Sequence, residues 1–164
     1  MPKPAVRASP ALRIRLAQAA DLDAVEAIER QQFSNPWNRD YFAAELGNRL
    51  AHFHVAVALP AGEIAGYLLF WRLGGELELH KIAIRRDLQR RGVGERLLEH
   101  FLETGRSWGC QRAVLEVRES NAAAIRLYEK SFFRLVGRRK DYYCRPSEDA
   151  RVYEFDFRGG EPGS

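Results

Sequence analysis

The stretch from Leu77 to Val117 constrains the fold more than any other part of the chain. It reads as an apolar run, LELHKIAI (Leu77 to Ile84), a glycine- and arginine-bearing hexapeptide, QRRGVG (Gln89 to Gly94), a helical run, ERLLEHFLETGRSWG, and a second apolar run, AVLEV (Ala113 to Val117). Two strands separated by one long helix are too far apart in sequence for a tight hairpin. The connection that fits is a parallel crossover, which is right-handed in nearly all known cases. Leu97, Leu98, Phe101, Leu102 and Trp108 mark the helix side that covers the sheet, and Gly109 is its natural stop.

Upstream, HFHVAVAL (His52 to Leu59), IAGYLLFWRL (Ile64 to Leu73) and LELHKIAI are separated by the short links PAGE and GGE. Links of that length make antiparallel hairpins. Phe53, Val55 and Val57 share one face. Before this meander, RIRL (Arg13 to Leu16) alternates as a short strand. Asp21 then caps a helix with apolar Leu22, Val25, Ile28 and, less regularly, Phe33. Pro36 in SNPW breaks that helix, and Asn38 caps a second one through Leu46. Downstream, SNAAAIRLYEK (Ser120 to Lys130) is a helix capped by Ser120 or Asn121. FRLVG and RVYEFDF are two last strands joined by a polar loop.

The order is β-α-α-β-β-β-α-β-α-β-β, an α/β (α+β) mixed sheet with helices on its faces. One domain spans residues 13–158. A basic tail, residues 1–12, and a Gly/Pro-containing tail, residues 159–164, flank it and are expected to fray.

Composition narrows the function classes. With 164 residues, 46% hydrophobic and 29% charged, the chain affords one core and is not of disordered type. The formal charge of +4 suits an anionic ligand or a partner associated with nucleic acid and specifies neither. Two unpaired cysteines, Cys110 and Cys144, give no disulfide framework and no zinc site, and the expectation is a reducing, cytoplasmic setting. No apolar run is long enough to cross a membrane, and the start lacks the apolar centre of a signal peptide. His52, His54, His80 and His100 offer no third ligand at metal spacing, so no metal is expected.

QRRGVG has the chemistry to hold a phosphate. Helix starts carry unpaired N–H groups and partial positive charge. Gly92 and Gly94 allow close approach, and Arg90 and Arg91 can add charge-assisted contacts. A Walker loop needs Lys-Ser or Lys-Thr after its last glycine, and here Glu95-Arg96 follow. A dinucleotide fingerprint needs a third glycine where Leu97 stands. From the hexapeptide alone, a plain basic turn stays open beside a phosphate cradle.

Glu116 lies in mid-strand between Leu115 and Val117, where burying a carboxylate is costly. Crossover strands are usually covered on both faces, which favours a functional, partly desolvated base over a solvent-facing residue. Tyr128, one turn after Ala124, reads on spacing alone as a core aromatic with its hydroxyl at the rim. Asn121 is an adequate helix cap without any ligand.

The pattern Gln-x-x-Gly-x-Gly, after HKIAI and before a long amphipathic helix, resembles the acetyl-CoA-binding motif of the GCN5-related N-acetyltransferases. The element order resembles that fold from Arg13 to Phe157. LEVRESNAAAIRLYEKSFF, GRRKDYY, EDARVYEF and the upstream FSNPW are similar to the branch that acetylates a ribosomal protein on its N-terminal alanine. The resemblance implies that Ile82, Ala83 and Ile84 offer backbone groups to the pantetheine arm. It implies that Gln89, Arg90, Arg91, Gly92, Val93, Gly94 and the N–H of Glu95 hold the pyrophosphate, and that Asn121 contacts CoA. Glu116 would be the general base and Tyr128 the general acid toward the CoA thiolate. The acceptor, the N-terminus of the eighteenth small-subunit ribosomal protein, would lie between FSNPWN and RKDYYCRPSEDA. Phe33, Trp37, Tyr142 and Tyr143 would line its groove, and Glu148 and Asp149 would face a basic residue of the acceptor. A monomer acting without direct nucleic-acid contact is expected. Other N-termini, lysines or small amines are the alternative acceptors, and a basic nucleic-acid-binding module is the alternative class; no helix-turn-helix or stacked-aromatic RNA motif supports it.

One departure concerns the turn after Tyr-Glu-Lys. The family usually reads Leu-Gly-Phe there, and this chain reads Ser131-Phe132-Phe133. A left-handed helix stop at Phe132 would cost roughly 1 kcal/mol or more, unless the turn is remodelled.

Overall fold

The computed structural model describes residues 8–159. Seven strands and four helices follow in the expected order: β1 Leu12–Leu16, α1 Leu22–Gln32, α2 Arg39–Leu46, β2 Ala51–Ala58, β3 Glu63–Leu73, β4 Glu76–Ile84, α3 Val93–Ser107, β5 Arg112–Arg118, α4 Ala122–Lys130, β6 Arg134–Tyr143 and β7 Glu148–Asp156. The strands form one sheet in the order β1-β2-β3-β4-β5-β7-β6. β2, β3 and β4 are antiparallel neighbours, and β4 pairs β5 in parallel across α3. Residues 1–7 and 160–164 of the two expected tails lie outside the described residues. The first strand begins at Leu12, one position earlier than its alternation suggests, and Ala11 already accepts a backbone bond from Leu59.

Each face of the sheet has its own core. Leu68, Phe70, Leu77, Leu79, Leu115 and Val117 pack against Leu97, Leu98 and Phe101 of α3 and against Ile125 and Tyr128 of α4. On the other face, Phe53, Val55, Val57, Tyr67 and Leu69 pack against Leu22, Val25 and Ile28 of α1 and Phe42 of α2. Asn38 caps α2 as expected, accepting from Tyr41 N–H at 3.1 Å. Asp21 does not cap α1 with its side chain. A short helical turn precedes α1, and the Asp21 carboxylate instead accepts from Gln18 N–H and Arg15.

The last strands differ most from expectation. β6 runs on to Tyr143 rather than ending near Gly137, so Tyr142 and Tyr143 sit at a strand end and not in a long loop. Its pairing with β7 is interrupted between Arg139 and Tyr143, where Asp141 takes a positive φ of 51°. Irregular pairing over a polar RKDY stretch hides the strand from any period-2 reading.

Phe132 has φ 70°. Phe133 N–H bonds Tyr128 C=O at 3.0 Å and Phe132 N–H bonds Glu129 C=O at 3.1 Å. These are the two bonds of a Schellman stop, and the Phe133 and Tyr128 rings, 5.8 Å apart, supply its apolar contact. The turn is therefore kept and the strain tolerated. Phe132 is exposed, so removing its ring forfeits little burial. Phe132→Gly is expected to stabilise the fold by about 1 kcal/mol, raising Tm by roughly 2–4 °C in a scanning calorimeter.

On the α3 face, His54 stacks on Phe70 and meets the His100 ring edge-on at 4.9 Å. Its buried Nδ1 has no hydrogen-bond partner among the described residues. Burial pushes the His54 pKa down to about 4, with His100 and His52 adding to the effect. The unfolded chain therefore binds the proton first as pH falls below the ordinary value near 6.5. Stability is expected to fall between pH 6.5 and 4, by about 2 kcal/mol for this half-buried ring. Urea titrations across that window should show the slope, and His54→Phe should reduce it, with the lowered His52, His80 and His100 keeping a remainder.

Candidate functional site

β4 carries one residue more than β3 at its middle. Leu69 pairs Lys81 and Phe70 pairs Leu79, leaving His80 as a bulge. The bulge inverts which side chains face which core. Leu77 and Leu79 face α3 before it, whereas Ala83 lies in the α1/α2 core after it. It also ends the contact with β5. The parallel pairing stops at Leu79↔Leu115, while β4 continues with β3 to Ile84 and β5 continues with β7 to Arg118. The sheet thus opens into a wedge with Ile82, Ala83 and Ile84 on one side and Glu116 to Arg118 on the other. Bulges re-aim strands in this way, and crevices at the carboxyl ends of parallel strands are where open sheets bind ligands.

QRRGVG closes one end of the wedge. A helical turn, Arg86–Leu88, anchored by buried Leu88, leads into it. Gly92 has φ 80° and stands at the helix start, and among the described residues no side chain caps it. A Cβ on Gly94 would lie 3.4 Å from Leu127 of α4 and 3.7 Å from Ile84, so this glycine packs the helix start against both α4 and β4. Arg90 holds φ 60°, and Arg91 donates to Ala8 C=O at 3.0 Å. Gln89 donates to Gln32 at 2.7 Å and to Ile84 C=O at 3.3 Å, tying the loop to α1. Val93 is buried in the core, and Glu95 pairs with Lys130 of α4 at 2.8 Å. Asn121 caps α4 through Ala124 N–H at 3.1 Å, which leaves its amide NH2 for any other contact.

Glu116 and Tyr128 lie on opposite faces of the sheet. Leu115 and Val117 point into the core that holds Tyr128, so Glu116, between them, points away. The expected cover on both faces of β5 is absent: the α1/α2 core contains no β5 residue. The Glu116 carboxylate is instead shielded by β6, where Arg139 Nε lies 3.1 Å away, and it retains 26% exposure. Glu116 raises the Tyr142 phenol pKa. Tyr128 is buried, and burial raises its phenol pKa far above the ordinary range, with Tyr143 adding. Tyr143 interacts electrostatically with both Glu116 and Tyr128. Its phenol is pushed up to about 12, first by burial and then by Glu116.

Phe33 and Trp37 line the same face as Glu116, nearer to β4. The Lys81 ammonium lies 4.4 Å from the Phe33 ring centroid and 4.6 Å from that of Trp37. The FSNPWN loop meets the β6–β7 turn through Ser34 Oγ and Arg145 C=O at 3.2 Å, so the aromatic walls are joined at one point. Glu148 and Asp149 have internal partners. Glu148 accepts from Ser120 N–H and Oγ, both at 2.9 Å, and Asp149 accepts from Asp141 N–H at 2.8 Å. Among the described residues no cluster of three or more His, Cys, Asp or Glu could hold a metal, and no helix is long and apolar enough to cross a membrane.

Sequence reading missed Glu29 and Lys81. Glu29 follows Ile28 on an amphipathic helix and reads as part of its solvent side, yet it is fully buried. A lysine inside the apolar run HKIAI was the one available signal, and the bulge that turns it inward was not legible.

The family model for the Acetyltransferase (GNAT) family matches residues 22–132. The chain belongs to this family. The matched part of this GNAT chain runs from α1 through the glycine loop to the end of α4, and leaves out β6 and β7 with Tyr142 and Tyr143. The ribosomal protein bS18-alanine N-acetyltransferase of Escherichia coli K12 is 36% identical over 134 residues, covering 82% of this chain and 87% of that protein. The N-alpha-acetyltransferase RimI of Mycobacterium tuberculosis is 35% identical over 149 residues, 87% and 90% of the two chains. A crystal structure of the ribosomal-protein-S18-alanine N-acetyltransferase from Escherichia coli superposes with a TM-score of 0.82 at 29% identity, over 94% of this chain and 99% of that one. This GNAT chain is an acetyltransferase, and the Escherichia coli relative is a ribosomal protein bS18-alanine N-acetyltransferase.

Proposed function

We propose that the chain transfers an acetyl group from acetyl-CoA to the α-amine of an N-terminal alanine on a small-subunit ribosomal protein, by direct attack with both substrates bound. The observation that carries this reading is the wedge between β4 and β5, with a glycine-led helix start at its end, a carboxylate on one face of the sheet and a buried phenol on the other. Its chemistry matches the need. An α-amine with a pKa of about 7.7–8.0 must shed its proton before attack, and the leaving thiolate must gain one.

In this reading the N–H groups at the start of α3, with Arg90 and Arg91, hold the pyrophosphate, and the close packing at Gly94 keeps that start near the wedge. Backbone groups of Ile82 to Ile84, released from β5, hold the pantetheine arm and the thioester oxygen. Glu116 takes the proton from the acceptor amine, directly or through water, and Tyr128 protonates the sulfur. Phe33, Trp37 and Tyr142 wall the acceptor groove. Tyr143, whose phenol interacts electrostatically with both Glu116 and Tyr128, is assigned to the inner end of that groove. The similarity to the bS18-alanine acetyltransferases supports the choice of acceptor.

The deciding experiment incubates the protein with acetyl-CoA and a peptide bearing the N-terminal sequence of that ribosomal protein. An N-terminally blocked lysine peptide and a polyamine serve as controls, and products are read by mass. Acetylation confined to the α-amine is expected. Efficient modification of a control amine with none of the peptide would replace this reading with that of a general amine acetyltransferase.

A further inference from the structure

The Glu29 carboxylate has no exposure and takes donors from three separate elements. These are the Tyr67 hydroxyl from β3, the Lys81 ammonium from β4 and, at 3.2 Å, the Trp37 N–H of the loop after α1. We propose that the Glu29–Lys81 ion pair is a positioning device for the acceptor wall: it fixes Phe33 and Trp37 beside the wedge and so sets affinity for a peptide acceptor without touching it. This rests on the acetyltransfer reading above.

Two physical points support it. First, a buried ion pair is a poor source of stability, because desolvating both charges offsets their attraction, and apolar residues of similar volume serve a core as well or better. Such a pair makes sense where it holds a geometry. Here its partners are a strand on the cofactor side and a loop on the acceptor side. Second, Lys81 is turned to this face by the His80 bulge that also opens the wedge, and it immediately precedes Ile82. The Phe33 and Trp37 rings both stand on its ammonium. Trp37 also packs against Tyr41 and Phe42, whereas Phe33 has no ring neighbour among the described residues, so Phe33 depends on the cation most. Burial lowers the Lys81 pKa and Glu29 opposes that, while the raised Tyr67 phenol stays a donor.

The test uses Glu29→Gln, Lys81→Met and Lys81→Arg in the full chain, with two acceptors: an alanine-initiated peptide of several residues, and alaninamide, which is too short to lie along the wall. Expected are a KM for the peptide raised about tenfold or more in Glu29→Gln and Lys81→Met, with kcat and the acetyl-CoA Kd within about twofold, and kcat/KM for alaninamide within about threefold. Lys81→Arg should recover most of the peptide KM. Adding Phe33→Leu to Lys81→Met should cost little more than either alone, because both remove the same wall. Equal losses for the two acceptors, an unchanged peptide KM or a weakened acetyl-CoA Kd would each overturn the proposal. If Glu29→Gln lowers Tm steeply, Lys81→Met and its double variant decide the matter alone. A wild-type protein that leaves both α-amines unmodified overturns the acetyltransfer reading instead.

Discussion

Glu116→Gln is expected to lower kcat by roughly 10²–10⁴-fold, the usual worth of a positioned general base, while the acetyl-CoA Kd stays nearly unchanged. The amide keeps the shape of the carboxylate and its place on β5 but cannot accept the amine proton. The fold should tolerate it, since Glu116 is partly exposed and its partner Arg139, 58% exposed, can turn to water. Steady-state kinetics with the alanine peptide and calorimetric titration of CoA separate the two quantities. A kcat within threefold of wild type would remove Glu116 from the chemistry. Loss of CoA affinity would instead mean that Glu116 shapes the wedge.

Tyr128→Phe should lower kcat by about 10²-fold, again at constant CoA affinity. The phenol is buried between the Phe133 and Tyr153 rings, and its raised pKa keeps it protonated throughout the neutral range. It is thus a donor at every pH where the amine reacts, and the wild-type rate should show no alkaline decline from Tyr128 below about pH 10. Removing one hydroxyl leaves the ring packing intact, so Tm should change little. The double variant with Glu116→Gln should fall short of the product of the single losses, as expected when two groups serve one transfer. Undiminished turnover in Tyr128→Phe would shift the proton donor to the neighbouring Tyr143, whose own Phe variant then becomes the informative one.

The places of Glu116 and Tyr128 in a strand and a helix were legible because strand and helix periods are local; their roles rest on the family resemblance. Glu116 stands out as a charge within AVLEV, and Tyr128 falls on the apolar side of SNAAAIRLYEK. What could not be read was their placement on opposite faces of a sheet that opens. That depends on β4 and β5 parting after Leu79, which a single extra residue at His80 brings about. A bulge leaves no period of its own: HKIAI reads as an ordinary apolar strand. The expected cover over Glu116 failed for a related reason. Helix cover on the second face was inferred from strand type, whereas α1 and α2 reach only the meander half of the sheet.

The sequence alone determined the order of elements, the parallel crossover through α3 and the glycine-led helix start, and it marked Phe132 as a choice between a strained stop and a remodelled turn that the structure settled for the stop. Each is written in a short window, through a 2.0 or 3.6 period, a cap, or a residue in an uncommon backbone state. Only the tertiary structure decided the insertion of β7 between β5 and β6, the run of β6 to Tyr143, the wedge, and the burial of Glu29 against Lys81. These depend on pairings between residues distant in the chain, where burial and hydrogen bonding over many side chains outweigh any local preference.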